Sequence, residues 1–437
     1  MNIVLLSGGS GQRLWPLSND IRSKQFIKIF RKDADGEEDK YESMIERMYA
    51  GILKAMPDAS VTVGTGKAQV SSLLNQLGDG VDICVEPARR DTFPAICLAA
   101  SYLKDIKGVR DEEPVVVCPV DPFVEDGYFL TLKKLGEAAK VGDSNLYLMG
   151  IKPTYPSEKY GYILTDGNND VRAFKEKPDQ VTAQKYLEAG AFWNGGVFAF
   201  KLSYMLKKAY ELIDFTDYHD LRNKYLSIEK ISFDYAVVEK EKSVSVIPYD
   251  GEWKDLGTWN TLTEAMSDKT IGEAYTDDTC SNTHIVNELD IPILAMGLRD
   301  TVVAASADGI LVADKHQSSY MKPYVENLAG PVKYAEKSWG SYRVMDIEPE
   351  SMTVKVTLLP GHKMNYHSHE RRDEVWNVLE GTGTVILDGV RSPIVPGDVI
   401  KIPVGIKHTV IADTILKIME IQIGTEISVN DKIKHDL

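Results

Sequence analysis

The hydrophobic pattern changes its period twice along the chain, and those changes limit the fold more than any other feature. Through residues 1–268, short apolar runs alternate with longer stretches of helical spacing. Ile3–Leu6, Val61–Thr65, Asp82–Val85, Val115–Pro119 and Leu146–Ile151 read as buried strands. Tyr41–Met56, Pro94–Ile106 and Phe129–Val141 read as helices between them. Such alternation predicts an α/β unit whose sheet is mainly parallel and covered by helices. Residues 269–330 turn into short alternating pieces split by turn signals such as Asp308-Gly309, which suggests a small solenoid-like β unit. Pro323–Glu336 reads as a linker, and residues 331–437 run strand after strand, the pattern of a small antiparallel barrel.

Ligands on a parallel sheet sit beyond the carboxyl ends of its strands, so the loop after Leu6 is the first place to look for chemistry. It reads Ser7-Gly8-Gly9-Ser10-Gly11-Gln12-Arg13-Leu14-Trp15-Pro16-Leu17. Gly8, Gly9 and Gly11 let backbone amides approach a phosphate without Cβ obstruction. The loop lacks the GK[ST] ending of a Walker A loop, and Leu14 stands where a GxGxxG beginning at Gly9 needs glycine. A glycine turn alone is equally a plain strand–turn.

Arg13 and the downstream Ser23-Lys24-Gln25-Phe26 carry the argument further. Together with the glycines they resemble the signature of the sugar-nucleotide pyrophosphorylases, in the mannose-1-phosphate guanylyltransferase branch. More stretches fit in the same order: Glu86-Pro87-Ala88-Arg89-Arg90-Asp91-Thr92, Pro119-Val120-Asp121-Pro122, Tyr160-Gly161-Tyr162, Phe174-Lys175-Glu176-Lys177-Pro178, Trp193-Asn194-Gly195-Gly196, Ser232-Phe233-Asp234 and Trp253-Lys254-Asp255-Leu256-Gly257. Pro122 replaces the histidine usual after the aspartate. The resemblance implies a Rossmann-like nucleotidyltransferase domain over 1–268. It implies Arg13, Lys24, Asp121 and Asp255 as catalytic residues, with Asp121 and Asp255 binding Mg²⁺. It also implies nucleotide contacts from Gly8, Gly9, Gly11, Glu86 and Arg89, and sugar contacts from Gly161, Glu176, Lys177 and Asn194. The chemistry is coherent, because phosphoryl transfer needs positive charge where negative charge builds on the leaving diphosphate.

Five of the eight histidines lie in the strand-rich tail, among them His362, His367, His369 and His408. Gly361-x5-His367-x-His369-x4-Glu374-x6-Gly381 and Gly397-x5-Pro403-x-Gly405-x2-His408 resemble the two cupin motifs, with Ala412 in place of the final asparagine. His367 and His369, two apart on a strand, face one side, and Glu374 and His408 are expected from neighbouring strands. His367, His369, Glu374 and His408 suit a divalent transition metal such as Zn²⁺. They could instead be polar barrel residues without metal. The region also resembles the phosphomannose isomerase domain of bacterial mannose-1-phosphate guanylyltransferases, through Trp339-Gly340-Ser341-Tyr342 and Arg372-x-Glu374-x-Trp376. Val375 replaces a usual histidine there, and Lys434 stands for an arginine. The units expected are thus 1–268 nucleotidyltransferase, 269–330 solenoid-like, and 331–437 a cupin β-barrel.

Composition sets the outer bounds. Fifty basic against 65 acidic residues give a net charge of −15, which argues against nucleic acid as a partner but not against a local basic pocket. No run of 18 or more apolar residues appears, and the apolar start runs into glycines without a basic region before it, so neither a membrane span nor a signal peptide is expected. Cys84, Cys97, Cys118 and Cys280 are dispersed and read as reduced thiols of a cytoplasmic protein. The leading expectation is an enzyme joining GTP and mannose 1-phosphate, with a cupin that interconverts fructose 6-phosphate and mannose 6-phosphate. The alternatives are another NTP or sugar 1-phosphate, a cupin that only senses metal or sugar, and a decayed binding module. Sequence leaves the oligomeric state open, a homo-oligomer included.

Overall fold

The computed structural model describes every residue except 10, 11, 20, 33–40, 167, 168, 329, 429 and 430, so Gly11 lies outside the described residues. A nine-stranded sheet organises the first unit. Its centre is the strand Asn2–Ser7, paired in parallel with Ser60–Gly66 on one side and Pro114–Pro119 on the other. Alternate residues of the central strand feed two separate cores. Ile3 and Leu5 pack with Ile45, Met48 and Ile52 of the helix Met44–Ala55 and Leu132 and Leu135 of Asp126–Val141. Val4 packs with Ile96, Leu98 and Leu103 of the helix Thr92–Asp105 and Met205 of Leu202–Leu212. A strand buried on both faces must be apolar throughout, which is why these runs stand out in the sequence.

The strand Phe192–Lys201 is antiparallel to its three neighbours, Pro114–Pro119, Leu146–Ile151 and Tyr162–Thr165, so the sheet is mixed at this end. The first helix also starts later than its periodicity suggests. Ser43 and Glu46 form a reciprocal capping box, the Ser43 amide donating to Glu46 Oε2 at 2.8 Å and the Glu46 amide to Ser43 Oγ at 3.3 Å. Tyr41–Glu42 instead pairs as a strand with Phe30–Arg31.

The middle unit stacks Thr270–Ile271, His284–Asn287 and Thr301–Ser306 in parallel, closed by antiparallel Gly309–Asp314; Ala274–Thr276 pairs in parallel with Ile293–Ala295. A third core joins this unit to the first. It contains Leu14 and Leu17 from the glycine-loop region, Ile27, Ile29 and Phe30 beyond Lys24, Leu256 and Trp259 after Asp255, and Val286, Val302 and Ala304 of the solenoid strands. Trp259 Nε1 donates to the Trp15 carbonyl at 3.1 Å, and Ser306 Oγ to that of Pro16 at 2.7 Å.

The expected linker over Pro323–Glu336 is instead a helix, Lys322–Leu328, followed by the strand Tyr334–Lys337. That strand is the edge of a six-stranded antiparallel sheet and also meets the first unit, where Gln76 Nε2 donates to Glu336 Oε2 at 2.8 Å and Asn75 Nδ2 to the Lys337 carbonyl at 2.9 Å. A five-stranded sheet faces it, and the pair encloses Val354, Val356, Trp376, Val385, Val410 and Ile418. No helix among the described residues is long and apolar enough to cross a membrane.

Candidate active site

Asp121 follows the strand Pro114–Pro119 at its carboxyl end, where Val120 donates its amide to the Leu6 carbonyl at 3.1 Å. The next residues, Pro122–Val124, pair antiparallel with Trp253–Asp255, and the register sets Asp255 opposite Pro122. One small ribbon thereby brings two carboxylates from distant parts of the chain to the same edge. Lys24 reaches both: its Nζ lies 2.8 Å from Asp121 Oδ2 and 3.8 Å from Asp255 Oδ1.

The lysine is held from beneath. Gln25 Nε2 donates to the Ser7 carbonyl and hydroxyl at 3.3 and 3.1 Å, Ser23 Oγ to the Gly9 carbonyl at 3.1 Å, and Phe26 is fully buried. Gln69 Nε2 also donates to the Gly9 carbonyl at 3.2 Å. Gly9 has φ of 136°, a conformation that a side chain would strain, and Gly8 and Gly9 both face open space. Arg89 Nη2 donates to the Gly9 carbonyl at 3.2 Å, so the Arg89 segment borders the loop. Glu86 accepts from the Tyr225 hydroxyl at 2.9 Å. Arg13 is exposed on the turn Gln12–Leu14.

Electrostatics divide the two acids. Burial would raise the Asp121 pKa, but the Lys24 charge and hydrogen bond leave it lowered. Burial, with the charge of Asp121, raises that of Asp255, where the more distant Lys24, then Lys159 and Arg13, pull the other way without winning. Lys24 itself is raised: desolvation opposes its charge, and Asp121 and Asp255 outweigh it. One lysine offsets only one of the two carboxylate charges, and an all-oxygen pair at an open edge suits a hard cation such as Mg²⁺.

The acids open onto a cavity of about 220 Å³ that Glu176, Asn194, Gly161, Asp234, Lys159 and Tyr160 also line. Asn194 faces it because the register slips between Asn194 and Phe198, and its Oδ1 accepts from the Gly196 amide at 3.1 Å. A Cβ on Gly161 would lie 2.5 Å from Glu176 Oε2, so glycine is needed for that close approach. Lys177 curls back to Glu176 Oε1 at 2.8 Å and is otherwise largely exposed. Asp234 accepts from Asn194 Nδ2 at 2.6 Å, and burial, then the charge of Glu176, push its pKa up to about 6. In the sequence Asp234 stands out only as part of a matching stretch, and Lys159 not at all. Nothing in the spacing of either signals a place in this cavity.

In the tail, His367 and His408 are register partners in one sheet, whereas Glu374 comes from the opposite sheet, not from a strand beside His408. The ring nitrogens of His367, His369 and His408 available as ligands all lie within 4.8 Å of one another. Each Nδ1 meets a backbone carbonyl: Asn365 at 2.6 Å, Asp431 at 2.7 Å and Ile406 at 2.9 Å respectively. A carbonyl only accepts, so each Nδ1 carries a proton, and the three Nε2 atoms face the interior. Burial, then Lys432, lowers the His367 pKa to about 2, which keeps its ring neutral. This donor set fits a divalent transition metal. Glu374 Oε1 lies 2.9 Å from His369 Nε2, and Arg372 donates to both, to each at 3.1 Å. Lys434, expected in the place of an arginine, is exposed; the inward-facing lysine is Lys432, set against Glu420 and Glu374. Carbonyl partners and cross-sheet pairing leave no trace in sequence spacing.

The family described as nucleotidyl transferase matches residues 2–271, and that described as cupin domain matches 354–421. A Vibrio cholerae chain provisionally named a mannose-1-phosphate guanylyltransferase is 31% identical over 99% of each chain. The xanthan biosynthesis protein XanB of Xanthomonas campestris is 28% identical over 99% of this chain and 97% of its own. A Thermus thermophilus crystal structure, described as a mannose-1-phosphate geranyltransferase, superposes with a TM-score of 0.62 at 28% identity, covering 75% of this chain and 98% of that one.

Proposed function

The chain belongs to the nucleotidyl transferase family, and from that membership we propose that it is a mannose-1-phosphate guanylyltransferase, converting GTP and α-D-mannose 1-phosphate into GDP-mannose and diphosphate. The observation that carries the reading is Lys24 set between Asp121 and Asp255 at the mouth of the cavity lined by Glu176 and Asn194.

A phosphate oxygen of the sugar phosphate attacks the α-phosphorus of GTP. The new P–O bond forms as the bond to the β-phosphate's bridging oxygen breaks, and diphosphate leaves with the electron pair. The attacking oxygen is already anionic, so no proton need be removed, and alignment with charge neutralisation does most of the catalysis. Lys24 and Arg13 neutralise the triphosphate, and amides of the Gly8–Gly9 loop donate to it. Glu86 and Arg89 border the nucleotide. Glu176 accepts from sugar hydroxyls, Asn194 and Gly161 shape the sugar site, and Lys177 swings from Glu176 to the sugar phosphate. Asp121 and Asp255 would hold Mg²⁺, which when bound supplies further positive charge to the phosphate oxygens.

A panel of four NTPs against several hexose 1-phosphates, with diphosphate release as readout, tests the assignment. GTP with mannose 1-phosphate should give the highest kcat/KM; no turnover with that pair rejects it.

The barrel interior favours a second activity, interconversion of mannose 6-phosphate and fructose 6-phosphate. Three inward Nε2 atoms stand beside Glu374, Glu420, Arg372 and Lys432, a metal seat with acid–base groups around it. Isomerase assay of the full chain with added Zn²⁺ or Co²⁺ decides between this and a cupin that only senses ligand.

A further inference from the structure

The turn that precedes Lys24 is fastened to parts of the molecule that do no nucleotide chemistry. Arg22 is 4% exposed, and its Nη1 lies 2.9 and 2.8 Å from the two carboxylate oxygens of Glu288 in the solenoid unit. The same nitrogen donates to the Leu17 carbonyl at 3.4 Å. Its guanidinium carbon sits 5.2 Å from the ring centroid of Tyr334, the first residue of the strand that leads into the barrel. Arg343, on the next barrel strand, has its own guanidinium carbon 5.9 Å from that ring centroid and donates to the Glu288 carbonyl at 3.1 Å. Asn19 completes the clamp. Its Oδ1 accepts from the amides of Ile21 and Arg22 at 2.9 and 2.7 Å, while its Nδ2 donates to Asp308 Oδ2 at 2.8 Å and the Tyr334 carbonyl at 3.2 Å.

We propose that Arg22, held by Glu288 and Tyr334, is a positioning residue for Lys24, so that the solenoid unit and the first barrel strand set the alignment of the transferase site. Only Ser23 stands between Arg22 and Lys24 in the chain, so the buried guanidinium anchors the backbone next to the ammonium that spans Asp121 and Asp255. Ser23 and Gln25, on either side of Lys24, fix the turn to the glycine loop, and Arg22 and Asn19 fix it from the other direction. A backbone clamped from both sides keeps the lysine tip in one place without any contact from Arg22 to substrate. A buried ion pair is seldom a source of net stability, because both partners lose their hydration, and fixing one geometry is what such a pair does well.

This inference rests on the transferase reading, so its test carries a readout that needs no turnover. Full-length Arg22→Gln and Glu288→Gln proteins, and the charge-swapped Arg22→Glu/Glu288→Arg protein, are compared with the parent. Steady-state kinetics with GTP and mannose 1-phosphate are measured beside hydrogen exchange of the amides in 17–26. Each single variant should lose about 10- to 100-fold in kcat with both KM values within about threefold, the signature of misalignment rather than lost binding. Exchange in 17–26 should quicken while the central strand Asn2–Ser7 stays protected, and the charge swap should recover part of the kcat. If Arg22→Gln fails to fold, Glu288→Gln carries the test alone. A folded single variant with kcat within about twofold of the parent, or unchanged exchange in 17–26, overturns the proposal. A parent that turns over nothing defeats the transferase reading instead, and the exchange data still judge the clamp.

Discussion

Replacing Asp255 by asparagine separates the cost of the site from its use. The carboxylate is 43% exposed, and its oxygen lies 3.8 Å from Lys24 Nζ. At that distance the attraction is about 4 kcal/mol for an effective dielectric of 20 and about 1 kcal/mol in water. A carboxylate this open to solvent belongs near the lower figure. Against it stand desolvation and the repulsion of Asp121, together the larger influence, since the net result is a pKa above the ordinary 3.8. The sign follows from linkage: a raised folded-state value favours the protonated form, so that contribution is full below about pH 3.8 and is lost as pH rises through the folded value. At about pH 7.5 the ionised group therefore costs stability, and the Asp255→Asn change removes that cost while keeping the side chain's shape. The melting temperature at that pH should hold or rise, while kcat for diphosphate release falls by about 10²- to 10³-fold, as expected when one charge-stabilising group is removed. Calorimetry and a coupled diphosphate assay on one preparation measure both. A melting temperature several degrees lower, or a kcat within about threefold of the parent, refutes the reasoning.

Asp234→Asn should alter the pH response of the same cavity. The parent group has its pKa pushed up from 3.8 to about 6, so its stabilising contribution is present below pH 3.8 and fades through about pH 6; the variant's unfolding free energy should change less than the parent's between about pH 4 and 7 in urea titrations. Gly161→Ala places a methyl 2.5 Å from Glu176 Oε2 and should raise KM for the sugar phosphate by at least about tenfold, with KM for GTP nearly unchanged. In the barrel, Zn²⁺ at about 100 times its Kd should stabilise the protein by about 2.7 kcal/mol, read as a shift in thermal unfolding, and His367→Ala should abolish that shift.

The inner strands of the central sheet are legible in sequence because they are buried on both faces, as Ile3, Val4 and Leu5 show by feeding opposite cores. The barrel strands are legible for the opposite reason, since one face is wet and residues alternate. Phe192–Lys201 is harder, because Asn194-Gly195-Gly196 interrupts it to turn one amide into the cavity. The segment after Pro323 hides a helix and a strand because their partners lie in other units. Motif order identifies Lys24, Asp121 and Asp255, but only the register of Pro122 against Asp255 explains how they meet. Asp234 and Arg372 acquire their surroundings from neighbours that the chain brings together only on folding, Glu176 in one case and the Ser428 carbonyl in the other.

The third core also bears on how a gene of this kind can be recombined. Leu14, Leu17 and Trp259 share their packing with Val286, Val302 and Ala304, so a crossover between the first unit and the solenoid leaves greasy faces on both products. A crossover past Lys337 keeps the polar contacts of Gln76 with Glu336 and Asn75 with Lys337 on one product and cuts chiefly the backbone pairing of Tyr334–Lys337 with Gly340–Glu348. Evolution can therefore exchange the barrel as a cassette, provided the strand Tyr334–Lys337 stays with the donor of the amino-terminal part.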